Sequence, residues 1–166
     1  MIRSIDPLCL GSPRFPESVQ SLQDDQSRWK ALIQAHGPEA AVTQVQGDFA
    51  VALDLPDGSA FIAVDRFAIR TLCYRVDSTG LVVAERADAC ADQTGLDPQA
   101  LFDYLYFHVI PSPRTIYKGV SRIPPGHFAL VTGGQVTVKP YWTPEFKPSP
   151  RVEFSDLKTE FRSLLS

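Results

Sequence analysis

Hydrophobic residues along the chain fall in short clusters whose spacing changes from one segment to the next. Between Leu22 and His36 the apolar positions recur at helical intervals, so this segment predicts one amphipathic helix. Gly37-Pro38 follows directly and predicts where that helix ends. Upstream, prolines interrupt residues 1–19, and only Leu8 to Leu10 form a short strand-like run.

Pairs of apolar runs then predict three β-hairpins. The first pair, Asp48 to Leu55 and Ala60 to Val64, flanks the turn sequence Pro56-Asp57-Gly58. Both runs are almost continuously apolar, which predicts a sheet that is covered on both faces. The other two hairpins comprise Leu72 to Val76 with Leu81 to Ala84, and Phe128 to Val131 with Val136 to Tyr141.

A second helix is predicted to begin at Asp97 and Pro98. Asp caps free backbone N–H groups, and Pro at the first helical position loses no hydrogen bond. The helix should end near Ile110, because the prolines that follow cannot continue it. Its aromatic residues spread around much of the circumference, which favours burial on two sides over a stacking surface for a ligand. These residues are Phe102, Tyr104, Tyr106 and Phe107.

The last residues predict an amphipathic helix beyond a proline-rich segment. Pro144 to Pro150 is expected to be exposed, and Ser155 or Asp156 can cap the helix that follows. An apolar stripe here needs something to pack against, so its members are candidate contacts with a partner domain. The alternative is a terminal helix that docks on the core of this chain. The stripe comprises Leu157, Phe161 and Leu164, with Leu165 beside it.

Composition limits the class of protein without naming a function. The 166 residues suit one principal core, and 44% hydrophobic with 21% charged residues is typical of a globular protein. The net charge is -3 and the basic residues are scattered, so no surface for nucleic acid or for an anionic membrane is predicted. No signal peptide or membrane-spanning run is recognisable, and a cytoplasmic location is expected.

Cysteines and histidines give no catalytic or metal-binding pattern. Cys9, Cys73 and Cys90 lie far apart and lack the spacing of a metal site, so we expect three free thiols and no bound metal. His108 and His127 have no Ser, Cys or carboxylate at a recognisable spacing. Both are therefore expected to be structural.

Several phrases between Gly47 and Tyr141 resemble the asparagine synthetase family. GDFAVALD, AVDRFAIRTLCY and LVVAERADA occur in the order and spacing of its amino-terminal, glutaminase-like domain. Leu101 to Val131, followed by Tyr141-Trp142, resembles the junction before the synthetase domain. The resemblance implies the N-terminal-nucleophile (Ntn) hydrolase fold of class II glutamine amidotransferases. That fold is an α+β, αββα sandwich of two antiparallel sheets, here expected to be shortened at its N-terminus.

The same resemblance implies a division of the chain. Residues 1–143 would be the glutaminase-like domain, with 1–46 divergent and 47–142 well matched. Residues 144–153 would be a linker, and 154–166 the truncated start of a synthetase-domain helix. The implied partner is a synthetase domain in cis or in trans, and a homo-oligomer is a further expectation. No cofactor is expected in this chain, since ATP and Mg²⁺ belong to the synthetase domain and its Ser-Gly-Gly-x-Asp-Ser pyrophosphate loop is absent from the sequence.

The residues that cleave glutamine in this family are not recognisable. Its glutaminases use a cysteine directly after a removable Met, whereas Ile2 stands there in this sequence. The Arg-Gly-Pro-Asp and Asn-Gly-Glu phrases, which hold glutamine and form the oxyanion hole, do not occur either. Gly11-Ser12-Pro13-Arg14 is the nearest candidate and has the wrong order. We therefore expect a degenerate glutaminase with no catalytic residue in this chain.

Four charged residues do match the family's motifs, namely Asp65, Arg66, Arg70 and Glu85. A structural ion-pair network that fixes loops at the sheet ends is favoured over a ligand-facing cluster. Between them the sequence departs from the family, with Ala68 where Gly is usual and Thr71 where Pro is usual.

The leading functional hypothesis is a non-catalytic domain that supports an ATP-dependent amide-bond-forming domain. That domain would be of the asparagine synthetase, lasso-peptide cyclase or β-lactam synthetase type. One alternative is a fragment of a glutamine-hydrolysing asparagine synthetase whose start lies upstream. Another is a free-standing interaction module whose partner covers the last helix.

Overall fold

A computed structural model describes residues 5–78, 80–92, 95–147 and 153–165. Helices and antiparallel strands alternate along the chain, and a short 3₁₀ helix at Glu17–Val19 precedes the first α-helix. The elements in chain order are β1 (Leu8–Gly11), α1 (Asp25–His36), α2 (Pro38–Gln44), β2 (Phe49–Asp54), β3 (Ala60–Val64), β4 (Cys73–Asp77), β5 (Gly80–Ala84), α3 (Ala87–Cys90), α4 (Pro98–Phe107), β6 (Ser121–Arg122), β7 (His127–Thr132), β8 (Gln135–Pro140) and α5 (Phe154–Leu165).

The strands form two antiparallel sheets. The larger sheet has five strands in the order β1-β2-β3-β7-β8, and the smaller has three in the order β5-β4-β6. At the centre of the larger sheet, Ile62 of β3 lies opposite Ala52 of β2 on one side and Ala129 of β7 on the other. The expected α+β fold with two antiparallel sheets is thus confirmed.

The central strands β2 and β3 are buried on both faces, as their continuous apolar sequences predict. Successive side chains of a strand point to opposite faces, so each strand serves two cores. On one face the large side chains of β2 and β3 pack against α1 and α2. On the other face Ala50, Ala52, Ile62 and Val64 pack against residues of the smaller sheet and its loops, among them Leu72. The two sheets therefore stack directly on each other.

Helices α1 and α2 cover the outer face of the larger sheet. Trp29 of α1 is buried, and its ring lies 5.2 Å from the ring of Phe49 and 6.0 Å from that of Phe61. The helix begins at Asp25 because the Asp24 carboxylate accepts a 2.8 Å hydrogen bond from the Ser27 N–H. The predicted start at Leu22 was therefore too early.

Helix α2, which was not predicted, begins immediately after α1 ends. Gly37, with φ 80°, caps the end of α1 as predicted, but Pro38 occupies the first position of α2, where its missing N–H costs nothing. The short elements α3 and β6 were not predicted either. Elements of four and two residues contain too few positions to show a period.

Helix α4 begins at Pro98, with the Asp97 carboxylate accepting from the Gln99 and Ala100 N–H groups, as predicted. It ends at Phe107 because His108 adopts a left-handed conformation with φ 58°, so the predicted end near Ile110 was too late. The expected burial of its aromatic side chains was wrong. Their exposed fractions are 59% for Phe102, 54% for Tyr104, 71% for Tyr106 and 56% for Phe107.

The remaining predictions concern the other hairpins and the end of the chain. The second and third hairpins are confirmed to within about one residue at each strand end. The short strand β1 is also confirmed. Thr79, in the turn of the second hairpin, lies outside the described residues. Helix α5 is also confirmed, and none of its residues is buried. Residues 144–147 are exposed, but 148–152 of the predicted linker lie outside the described residues. The division of the chain near residues 143 and 153 stays a prediction.

Candidate functional site

The loop that follows β3 is organised by one buried carboxylate. Asp65 is buried, and its side-chain oxygens accept hydrogen bonds from four backbone N–H groups. The donors are Phe67 at 2.9 Å, Arg70 at 3.1 Å, Ile69 at 3.2 Å and Phe49 at 3.3 Å. A carboxylate so fully hydrogen-bonded fixes the path of the loop over residues 65–70, which we call the Asp65 loop.

The loop contains a residue in a conformation that favours glycine. Ala68 has φ 50°, in the left-handed region, where a Cβ atom costs about 1–2 kcal/mol. Its N–H donates to the Asp65 carbonyl oxygen at 3.1 Å, which closes the turn. This geometry explains why glycine is usual in the motif that this segment resembles, and the Asp65 hydrogen bonds hold alanine there.

Two apolar side chains project from the apex of the Asp65 loop. Phe67 and Ile69 are 70% and 68% exposed, respectively. The Phe67 ring makes an edge contact with Trp142, with ring centroids 5.3 Å apart. Trp142 is in turn held by Gly126, whose carbonyl oxygen accepts from the Trp142 N–H at 3.1 Å. A rigid loop therefore presents apolar surface to solvent.

Tyr141 supports the Asp65 loop through a hydrogen bond to the residue that precedes it. Its hydroxyl donates to the Val64 carbonyl oxygen at 2.9 Å, directly before Asp65. Burial raises the pKa of Tyr141, and the negative charge of Asp65 raises it further. The phenol is therefore neutral at physiological pH and keeps its donor role.

An open cleft of about 510 Å³ lies between the Asp65 loop and residues 45–49. Its charged lining residues are Arg14, Asp48, Asp65 and Arg66. The Asp48 carboxylate accepts from the Arg70 Nε at 3.4 Å, and this pair is partly exposed to solvent. This cleft was not predicted from the sequence. Residues distant in the sequence form its two walls, and no local pattern signals such a meeting.

The structure brings together three of the four residues that match the family's motifs. Asp65, Arg66 and Arg70 share the Asp65 loop, but the Asp65 carboxylate binds backbone amides while Arg70 pairs with Asp48. Glu85 lies beside a different cleft, where its carbonyl oxygen accepts from the Thr71 hydroxyl at 3.0 Å. That all four residues serve only the structure stays a prediction.

The three thiols are free, as predicted, and each is held in its neutral form. Burial raises the pKa of Cys9 to about 11, and the negative charges of Asp25 and Asp24 add to the effect. Burial also raises the pKa of Cys90 to about 11 and that of Cys73 in the same direction. A thiolate is the nucleophilic form of cysteine, so none of these sites activates its sulfur.

The two histidines that the sequence singled out make backbone contacts. His108 closes α4, with its N–H donating to the Tyr104 carbonyl oxygen at 2.8 Å. The Nδ1 of His127 lies 2.8 Å from the carbonyl oxygen of Pro125.

Leu157, Phe161 and Leu164, the candidate partner contacts, are exposed on one side of α5. Within the described residues, no group of three or more His, Cys, Asp or Glu is arranged to hold a metal ion. The helices of that same part are each too short or too polar to cross a bilayer.

Residues 24–142 match the glutamine amidotransferase domain family. Asparagine synthetase (glutamine-hydrolyzing) 1 of Bacillus subtilis is 30% identical over 118 residues, which cover 68% of this chain and 19% of that protein. A protein named as a glutamine-hydrolysing asparagine synthetase in Mycobacterium bovis is 29% identical over 131 residues, covering 73% and 20%. The chain thus spans about a fifth of the length of the curated relatives it matches.

A solved structure shows the same fold. Glutamine phosphoribosylpyrophosphate amidotransferase from B. subtilis, complexed with ADP and GMP, aligns with a TM-score of 0.50 at 12% identity. The alignment covers 83% of this chain and 30% of that one, and it supports the Ntn-hydrolase type of two-sheet fold. With most of its length matched by one family and its relatives named as asparagine synthetases, the chain belongs to the glutamine amidotransferase domain family, as a glutaminase-like domain of the asparagine synthetase type.

Proposed function

We propose that this domain does not cleave glutamine and instead packs on, and stabilises or gates, an ATP-dependent amide-bond-forming domain. The observation that carries the proposal is the exposed apolar surface of α4. Six of its last eight side chains are exposed, and all six are apolar or aromatic. They are Leu101, Phe102, Tyr104, Leu105, Tyr106 and Phe107. A helix that is apolar around most of its circumference is normally buried in the complete protein.

Helix α5 supports the same conclusion with a different pattern. Leu157, Phe161 and Leu164 recur at intervals of four and three residues and form a stripe, while Lys158 and Arg162 lie among the polar residues that flank it. Such a stripe is typical of a helix that packs against one neighbour. We propose that the partner domain covers this stripe as well as α4.

The state of the thiols supports the non-catalytic part of the proposal. Cys9, Cys73 and Cys90 are the cysteines of this sequence, and burial raises the pKa of each. None is therefore suited to attack an amide at physiological pH. ATP and Mg²⁺ would bind in the partner domain, and both domains would work in the cytoplasm.

A second candidate follows from the names of the relatives. Both are named as glutamine-hydrolysing enzymes, and this chain spans about a fifth of their length. A glutaminase whose nucleophile lies outside these 166 residues would have the same fold. The two candidates differ in whether the longest reading frame that contains this chain releases ammonia from glutamine.

Ammonia release therefore tests the proposal. The chain and the longest reading frame are each incubated with glutamine, and ammonia is measured against a heat-denatured control and a Cys9→Ser variant. We expect no turnover by either protein. Turnover by the chain that Cys9→Ser abolishes overturns the non-catalytic assignment, and turnover by the longer frame alone establishes the second candidate.

The partner is tested separately in the longer reading frame. Phe161→Glu places a charge in the α5 stripe, and Thr159→Glu places one in the same helix outside that stripe as the matched control. We expect Phe161→Glu to lower ATP-dependent pyrophosphate release and Thr159→Glu to leave it unchanged. Equal rates in both variants contradict a partner domain on α5.

A further inference from the structure

The cleft beside the Asp65 loop has the size and the walls of a small-molecule site. Its volume of about 510 Å³ falls within the roughly 300–1,000 Å³ of known ligand pockets. One wall is the Asp65 loop and the other is the segment 45–49 that joins α2 to β2. These features do not depend on the presence of a partner domain.

Both walls are rigid before any ligand arrives. The four backbone hydrogen bonds to the Asp65 carboxylate fix the first wall. In the second wall, the backbone of Gln46 pairs with that of Arg14 through hydrogen bonds of 2.8 and 3.1 Å. Gly47 has φ 87°, and a Cβ there would lie 2.6 Å from the Ser12 carbonyl oxygen. Binding to preformed walls loses little conformational entropy.

The charge in the cleft that is not paired within the chain, and is therefore available to a ligand, is positive. The Asp65 carboxylate is buried beneath the loop and is committed to backbone N–H groups. The Asp48 carboxylate pairs with Arg70 at 3.4 Å. By contrast, the guanidinium groups of Arg14 and Arg66 form no ion pair with any residue in the described part of the chain. Two unpaired arginines at one cleft favour an anion.

Apart from Gln46 and Gly47, the rest of the lining is apolar and suits an apolar ligand. Val45 and Phe49 belong to the cleft and are themselves almost fully buried. Phe67 and Ile69 line the same cleft and leave about two thirds of their surface exposed. A bound apolar group would cover that surface, and removing it from water favours binding.

We propose that this cleft binds a small organic carboxylate with an apolar body. The guanidinium groups of Arg14 and Arg66 hold the carboxylate, because their planar N–H donors match its two oxygens. Phe67 and Ile69 cover the apolar body. The proposal stands apart from the proposed function, since it concerns a surface that neither α4 nor α5 lines.

Two matched probes separate the charge from the apolar contact. N-acetyl-L-leucine carries both features, while N-acetyl-L-leucinamide keeps the apolar body and removes the charge. Titrations of the ¹⁵N-labelled full chain follow the amide signals of Phe67 and Ile69 and the indole signal of Trp142. We expect saturable shifts at these positions with the acid and at least tenfold weaker binding of the amide. Equal binding of the two probes, or no shift with either, overturns the proposal.

Variants then test the named arginines. Arg14→Gln and Arg66→Gln should each weaken binding of N-acetyl-L-leucine by about tenfold, the usual effect of losing a charge-assisted hydrogen bond. Arg162→Gln on α5 is the matched control and should bind like the parent chain. Arg14 is exposed and Arg66 is partly exposed. Thermal unfolding midpoints check that each variant is folded. Unchanged affinity in both cleft variants contradicts the proposal.

Inorganic phosphate is the last probe, because any basic surface attracts it. We expect phosphate to bind at least tenfold more weakly than N-acetyl-L-leucine, since it offers nothing to Phe67 and Ile69. Phosphate binding as tight as that of the carboxylate probe would show a general anion site, and the apolar part of the proposal would be wrong.

Discussion

Strand β3 and helix α4 are both rich in apolar residues, but β3 is buried whereas most of α4 is exposed. All five residues of β3 are buried, because sheet neighbours, α1 and the smaller sheet surround it. In α4, only Ala100 is buried. The hydrophobicity of a segment therefore indicates that its side chains need to be buried. The contacts in the structure show whether this chain itself buries them.

The difference follows from how each element is attached. Strand β3 pairs with β2 and β7 along both edges, so every part of it is held. Helix α4 is fixed along one stripe, where Arg114 pairs with Asp97 at 3.0 Å and with Asp103 at 3.4 Å. The sandwich core closes without α4. The apolar surface of α4 is thus left exposed, and four predictions test this contrast.

The largest effect is expected in the core. Phe61→Ala in β3 removes a fully buried ring that lies 6.0 Å from both Trp29 and Phe128. The lost burial and the cavity should lower the free energy of unfolding by about 4 kcal/mol. Urea unfolding followed by tryptophan fluorescence measures it, and Phe61→Leu, which leaves a smaller cavity, should lose much less. A loss under about 1 kcal/mol for the alanine variant would show that β3 is not central to the core.

The next effect concerns the carboxylate at the end of β3. Asp65→Ala leaves the N–H groups of Phe67, Ile69, Arg70 and Phe49 without their acceptor. Removing a buried acceptor shared by several donors should cost about 3 kcal/mol in the free energy of unfolding.

Asp48→Ala is the control for the Asp65 substitution. It removes a carboxylate from the same cleft whose ion pair with Arg70 is long and partly exposed. Its cost should stay below about 1 kcal/mol. Similar losses in the two variants would mean that Asp65 does not organise the loop.

Parts of this contrast were predictable from the sequence, because they depend on local chemistry. The Asp97-Pro98 cap and the Pro56-Asp57-Gly58 turn act within a few residues, and both were predicted correctly. The continuous apolar runs of β2 and β3 also predicted two covered faces, which is what the structure has.

The errors arose where the outcome depends on distant residues. The aromatic residues of α4 were expected to be buried, but pattern alone does not reveal whether a covering element exists. The cleft was missed because Arg14 and Arg66 come to line the same cleft only after β1, β2 and β3 have paired. The backbone hydrogen bonds of Asp65 were not predicted, because they depend on the turn that Ala68 completes.

A third prediction concerns the thiol of β1, at the edge of the core. At pH 8, a pKa of about 11 leaves Cys9 with about a hundredth of the thiolate expected at the ordinary value of 9.0. Alkylation by iodoacetamide in the native chain should therefore be about a hundredfold slower than in denaturant, and should accelerate as the pH approaches 11. Mass spectrometry of the peptide that contains Cys9 measures the rate.

The same shift makes stability depend on alkaline pH. Because the native state holds the Cys9 proton more tightly than the unfolded state, the stabilisation is complete below about pH 9 and is lost as the pH rises to about 11. Cys9→Ser removes this group and should flatten that part of the pH profile. In the labelling experiment, equal rates of Cys9 alkylation at pH 8 in the native chain and in denaturant would show that the native structure does not protect the thiol on β1.

The smallest effect is expected on α4, and it tests the contrast most directly. Leu105 is 75% exposed, so Leu105→Glu should change the free energy of unfolding by no more than about 0.5 kcal/mol. Ala100→Glu is the control on the same helix, because Ala100 is fully buried and a glutamate there would bury a charge. Urea unfolding should show a large loss in the free energy of unfolding for Ala100→Glu and no such loss for Leu105→Glu. If Leu105→Glu instead costs 2 kcal/mol or more, on the order of burying a whole leucine side chain, this chain covers α4 itself and the helix is not free to bind a partner.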